Sequence, residues 1–164
     1  MEVLRLEPNN KTALSSLASL NHSEADGTPD LDQKLRKLDE AASWYERVLA
    51  VDPQEKNAYY SLGVIDWKKW HPFWLRAREQ FGIIPSASGP LPNVSVRREL
   101  LTRFGSLLEH GISNLERALQ IDPTYDDAMA YMNLLIRERA DLRDSIEEYR
   151  FDIAVADQWD RKSD

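Results

Sequence analysis

The chain has 164 residues, 42% apolar and 30% charged, with a net charge of −7, a composition that fits one ordinary globular body and not a disordered segment. Its acidic balance argues against partners that carry phosphate, so nucleic acid and anionic lipid are set aside. Cysteine is absent, which excludes disulfides, thiolate metal sites and a cysteine nucleophile. No apolar run nears the roughly 20 residues that span a bilayer, so no membrane insertion is expected and the chain reads as soluble.

Apolar residues at three- and four-residue steps predict helices at about 10–22, 31–51, 55–70, 73–82, 94–121, 125–142 and 145–161. The opening VLRLEP has the form of a helix end whose beginning lies upstream. It predicts a longer parent chain with more repeats, whose missing part would decide between a cytoplasmic and an exported location. Residues 22–32 (HSEADGTPDLD) are rich in Gly, Pro and Asp and read as a loop. Their acids lack the alternating ligands and closing glutamate of a calcium loop. Pro72 separates the third and fourth helices, because proline carries no N–H to continue the ladder. Were the helix continuous, Trp67, Trp70 and Trp74, with Tyr60 one step earlier, would share one side. In the fifth helix Leu100, Phe104, Leu107, Leu108, Ile112, Leu115 and Leu119 form one stripe. Asp144 or Ser145 followed by Glu147 or Glu148 resembles a capping box opening the last helix. From there Leu142, Ile146, Tyr149, Ile153, Ala156 and Trp159 should face inward.

Three strings are related: VLRLEPNNKTAL at 3–14, VLAVDPQEKNAY at 48–59 and ALQIDPTYDDAM at 118–129. Each reads as helix end, turn and helix start, with an acid and a proline at the corner (Glu7 and Pro8, Asp52 and Pro53, Asp122 and Pro123) and alanine five positions on (Ala13, Ala58, Ala128). They resemble the tetratricopeptide repeat, a helix-turn-helix unit of about 34 residues. Tyr59, Leu62 and Gly63 match its first helix, and Ala41, Tyr45 and Val48 before Pro53 match its second. Asn133 stands where the family prefers glycine or alanine, and Asp152 also departs. The prolines are 45 and 70 residues apart. Both gaps exceed one repeat, and SASGPLPN occupies the place where the first helix of a hidden extra repeat would lie.

The resemblance implies an all-α, α-α superhelix of tetratricopeptide-like repeats with a helical insertion. Residues 1–10 would end a preceding repeat. Unit one would cover 11–55 with a loop insertion at 22–32, unit two 56–125 with an insertion at about 71–104, and unit three 126–161. In this family the leading helices line a concave groove that binds protein segments. Carried over, the groove takes Thr12, Ser15 and Ser19 from unit one; Asn57, Tyr60, Val64, Trp67 and Lys68 from unit two; and Asp127, Ala130, Leu134 and Arg137 from unit three. Trp70 and Trp74 form a secondary aromatic patch. Only Lys68 and Arg137 would serve an acidic ligand, and the paired Lys and Asn of the family's carboxylate clamp are missing.

Arg76, Arg78, Arg97, Arg98 and Arg103 make the insertion basic, whereas residues 122–164 carry twelve acids against six bases. Solvated helix faces with internal salt bridges account for this asymmetry. Phosphate-loop, GxSxG, HExxH and GxGxxG signatures are missing, and His22, His71 and His110 lie far apart. No enzyme activity, cofactor or metal is expected. The leading expectation is an interaction scaffold that docks a protein or peptide segment. The other is a structural or self-assembly piece of a longer repeat protein, associating through exposed repeat ends. The run YDDAMAYMNLLIRERADL resembles segments of bacterial repeat proteins of unassigned role.

Overall fold

The computed structural model describes residues 2–84, 87 and 89–160. Among them lie seven helices and no strand: α1 (Glu2–Leu6), α2 (Lys11–Asp26), α3 (Leu31–Val51), α4 (Lys56–Gln80), α5 (Val94–Ile121), α6 (Asp126–Ala140) and α7 (Ile146–Asp160). Side-chain oxygens of Asn10, Asp30 and Asn93 accept from the backbone N–H three residues on, starting α2, α3 and α5. At the head of α7 Ser145 Oγ accepts from Glu148 N at 3.1 Å, and Glu148 Oε2 accepts from Ser145 N at 3.3 Å. The expected capping box is therefore formed.

Helices pack as three successive hairpins, α2 on α3, α4 on α5 and α6 on α7. Each hairpin meets the next through α3 on α4 and α5 on α6, and α4 also touches α6 directly. The corners between hairpins repeat in detail. Asp52 and Asp122 donate their N–H to Val48 O and Ala118 O, and their carbonyls accept from Glu55 N and Tyr125 N. Each corner carboxylate also reaches back to the first lysine of its hairpin's leading helix, Asp52 to Lys11 at 2.5 Å and Asp122 to Lys56. That lysine and its own hydrogen-bonded turn hold the Asp122 carboxyl down at about 2.

The proline gaps are absorbed differently from expectation. Residues 22–26 are helical and only 27–30 separate α2 from α3, so much of the first excess lengthens helices and little of it forms a loop. Ala25 is fully buried there, and Gly27 N closes the end on Ser23 O. Likewise α4 runs through Pro72 as one helix. A proline inside a helix costs about 3 kcal/mol, but Trp70 before it and Trp74 and Ala77 beyond it are buried in one cluster with Phe104 and Leu108 of α5. Their burial outweighs the missing hydrogen bond. The insertion is thus an extension of the α4–α5 hairpin, whose helices reach 25 and 28 residues.

Gly63 sits where α4 and α5 touch. A Cβ there would stand 2.5 Å from Leu115 Cγ and 3.1 Å from the Gly111 carbonyl, so a larger residue would force the hairpin apart. Buried apolar residues form two clusters that share α4, with Ala58, Leu62 and Ile65 in one and Trp70, Trp74 and Ala77 in the other. On α7 the inward face differs from expectation: Ile146 is 44% exposed, while Asp152 is 1% exposed. The Asp152 carboxylate accepts from Arg139 at 2.8 and 3.1 Å and from Arg143 at 2.7 and 3.2 Å. Two guanidinium forks replace the water it loses.

Asp66, 5% exposed, faces α5 and accepts from His110 Nδ1 at 2.7 Å. Burial pushes its carboxyl from the ordinary 3.8 up to about 6, against the pull of the His110 hydrogen bond. The folded chain therefore holds this proton more tightly than the unfolded chain. The stabilisation is complete below 3.8 and lost as pH rises through about 6. From this group alone the loss is on the order of 3 kcal/mol. Asp66→Asn is expected to remove that slope, measured as the difference between variant and wild-type urea unfolding energies from pH 4 to 7; parallel profiles would refute it.

Candidate binding site

The leading helices α4 and α6 face each other, and their side chains build the site. On α4, Trp67, His71 and Trp74 follow at i, i+4 and i+7; Glu138 in the last turn of α6 and Asp141, its C-cap, follow at i and i+3. Each set lies on one helical face. Glu138 Oε1 accepts from Trp67 Nε1 at 3.0 Å and meets His71 Nδ1 at 2.7 Å. Asp141 Oδ2 accepts from Trp74 Nε1 at 2.7 Å and Arg78 Nη1 at 2.5 Å. Burial pushes the Asp141 carboxyl up, while the bonds from Trp74 and Arg78 pull it down.

An aromatic ladder runs along the same face. Tyr60 packs on Tyr125 and Tyr131, with ring centroids 5.0 and 5.8 Å apart, and Trp67 meets Tyr131 edge-on at 5.4 Å. His71 continues the ladder, 4.4 Å from Trp67 and 5.3 Å from Trp74. Burial raises the Tyr60, Tyr125 and Tyr131 phenols, and the nearby Asp127 carboxylate raises all three further. Asp26 of α2 adds to the effect at Tyr131, which places acids on this surface from two leading helices.

At the far end of the ladder lies a pocket of about 340 Å³. Its wall comes from α4 (His71, Trp74, Leu75), α6 (Leu134, Arg137, Glu138) and α7 (Tyr149, Ile153), with Ala87 of the 81–93 connection closing one side. Ile84, Ala87, Gly89 and Leu91 of that connection are each held by a hydrogen bond. Arg78 Nη2 donates to Ile84 O and Ala87 O, Leu91 N to Asp141 O, and Gly89 N to the Tyr149 hydroxyl. Two buried polar atoms in the residues that wall the pocket have no hydrogen-bond partner, Arg78 Nε and Glu138 Oε2.

The structure distributes the expected groove residues unevenly. Leu134, Arg137 and Trp74 line the pocket, Tyr60 and Trp67 lie in the ladder, and Asn57 accepts from the Tyr125 hydroxyl at 3.2 Å. Asp127 and Ala130 are exposed on α6. Val64 and Trp70 are 4% and 0% exposed, closed to any partner, so Trp70 is core and not part of an accessible aromatic patch. Lys68 is bound by Asp26 at 2.6 Å and donates to His22 Nε2 at 2.9 Å; Arg137 is bound by Asp157 at 2.6 Å. Burial and the Lys68 charge lower the His22 pKa, keeping that nitrogen an acceptor.

Both cations expected to serve an acidic ligand are therefore already neutralised. The basic insertion is also internal in part, since Arg78 is 2% and Arg97 8% exposed, with Arg97 Nη1 donating to Leu91 O at 2.5 Å. Pocket residues that sequence reasoning passed over are His71, Glu138, Asp141 and Tyr149. The i, i+3 carboxylates at the C-terminal end of α6 were the available signal. Thr12, Ser15 and Ser19 lie on α2 beside a separate shallow hollow.

Among the described residues no helix is long and apolar enough to cross a membrane, and no cluster of His, Asp and Glu could hold a metal. The fold and site define an all-helical protein of stacked hairpins with an aromatic, acid-lined face. No family model matches the chain, and no curated protein matches it.

Proposed function

We propose that the chain is a tetratricopeptide-like repeat module that docks a segment of another protein along the α4–α6 face, and that it is not an enzyme. The observation that carries this reading is the half-buried ladder Tyr60, Tyr131, Trp67 and His71 leading into an open pocket between leading helices. Aromatic rings with one face accessible supply large contact area at little entropic cost, as interface anchors require. The repeated corner hydrogen bonds, the repeated lysine contacts and the small residue at Gly63 support the tetratricopeptide-like repeat. A random heptapeptide display library panned on the full chain tests the reading. Selected peptides should bind at least about tenfold more weakly to the Tyr60→Ala, Trp67→Ala double variant, with helicity confirmed by circular dichroism. Undiminished binding would refute it.

A further inference from the structure

We propose that the pocket takes the cationic end of a lysine or arginine side chain of the docked segment, with Glu138 as its counter-charge. The inference rests on the segment-binding reading above and assigns the chemistry of its anchor. It follows from pairing the charges around the pocket. Arg78 is matched by Asp141 at 2.5 Å, and Arg137 at the mouth is matched by Asp157 at 2.6 Å. Glu138 has no Lys or Arg partner among the described residues; its ion-pair contact is His71. That contact is an ion pair only when the imidazole is protonated, so no permanently charged cation of the described residues stands beside Glu138.

Glu138 is also unsatisfied as an acceptor. Oε1 takes both the Trp67 and His71 N–H groups, while Oε2, on a side chain 4% exposed, receives no hydrogen bond. Burying an ionised oxygen without a donor is unfavourable, so a guest that brings an N–H group gains what the protein alone leaves unmade. The remaining wall suits the rest of such a side chain. Leu75, Leu134 and Ile153 can cover an aliphatic stem. The Tyr149 hydroxyl accepts from Gly89 N and is neutral toward the choice. An anionic guest would meet Glu138 and Asp141, and the two arginines that line the pocket already pair with Asp141 and Asp157.

The test uses the full chain, isotope-labelled, with the Trp67 and Trp74 indole N–H signals followed by NMR. n-Pentylammonium and ethylguanidinium should give saturable shifts, with pentanoate and pentanol at least about tenfold weaker. Glu138→Gln should abolish that preference. Equal binding of pentanoate, or a cation preference that survives Glu138→Gln, overturns the proposal. Should the variant not fold, the comparison of the four probes on the unaltered chain decides alone. The display library separates this proposal from the reading it rests on. Enrichment of lysine or arginine in peptides weakened by Glu138→Gln supports it. Peptides that need Tyr60 and Trp67 but lack basic residues overturn the pocket assignment and leave segment binding standing. Small cations that bind where no peptide uses Glu138 overturn the assignment to a protein side chain.

Discussion

Arg78→Met is expected to lower the unfolding free energy by about 3–5 kcal/mol, the range for removing one partner of a buried ion pair. Arg78 and Asp141 are 2% and 3% exposed, and methionine would fill much of the arginine's space while leaving Asp141 with Trp74 as its donor. The same guanidinium also holds Ile84 O and Ala87 O, so the connection beside the pocket would lose two anchors together. Because burial already pushes the Asp141 carboxyl up, losing the arginine should push it further. The variant should then be least stable at high pH, where that carboxyl must be ionised. Changing both partners, Arg78→Met with Asp141→Leu, should cost less than Arg78→Met alone, since no unpaired charge remains. Urea unfolding of the three chains measures all of this. A single variant within about 1 kcal/mol of wild type would show that the pair is not the tie between α4, α6 and the connection.

Helix existence was legible because its signals are local. A corner acid, a proline and an alanine five residues later mark each inter-hairpin turn, and those turns form the same hydrogen bonds at Asp52 and Asp122. Pro72 shows where local reading fails. Its penalty is visible in the sequence, whereas the compensation comes from Trp70 and Trp74 meeting α5 residues about thirty positions away. Gly27 and Pro29 likewise marked a connection correctly, but the five residues before them are held helical by the buried Ala25.

The site divides along the same line. Tyr60, Trp67, Leu134 and Arg137 were readable as positions on two leading helices. That Trp67 and Trp74 donate to Glu138 and Asp141, 71 and 67 residues later, depends on how the hairpins stack, and no spacing within either helix encodes it. Lys68 and Arg137 carry readable charges, but their neutralisation by Asp26 and Asp157 is tertiary. The two side chains that could have served an acidic ligand are thus paired within the fold, while Glu138 is left, among the described residues, with His71 alone as its ion-pair contact.

Trp70 and Trp74 provide the second large effect, because similar indoles on one helix differ in their hydrogen bonding. Trp70 is wholly buried with its ring 5.3 Å from Phe104, and its Nε1 has no partner; Trp74 donates to Asp141. Trp70→Ala should cost about 3–5 kcal/mol, the cavity and transfer penalty of a buried aromatic. Trp70→Phe should be much milder, within about 1.5 kcal/mol, since the smaller ring loses volume but also removes a buried N–H whose isolation itself costs about 1–3 kcal/mol. Trp74→Phe has no such relief, because it takes a donor away from the buried Asp141 carboxylate. The phenylalanine variant should therefore be less stable at 74 than at 70 in urea unfolding, although Trp74 is the more exposed at 8%. The reverse order would mean that ring volume, and not the satisfaction of Asp141, governs the junction where α4 passes under the pocket.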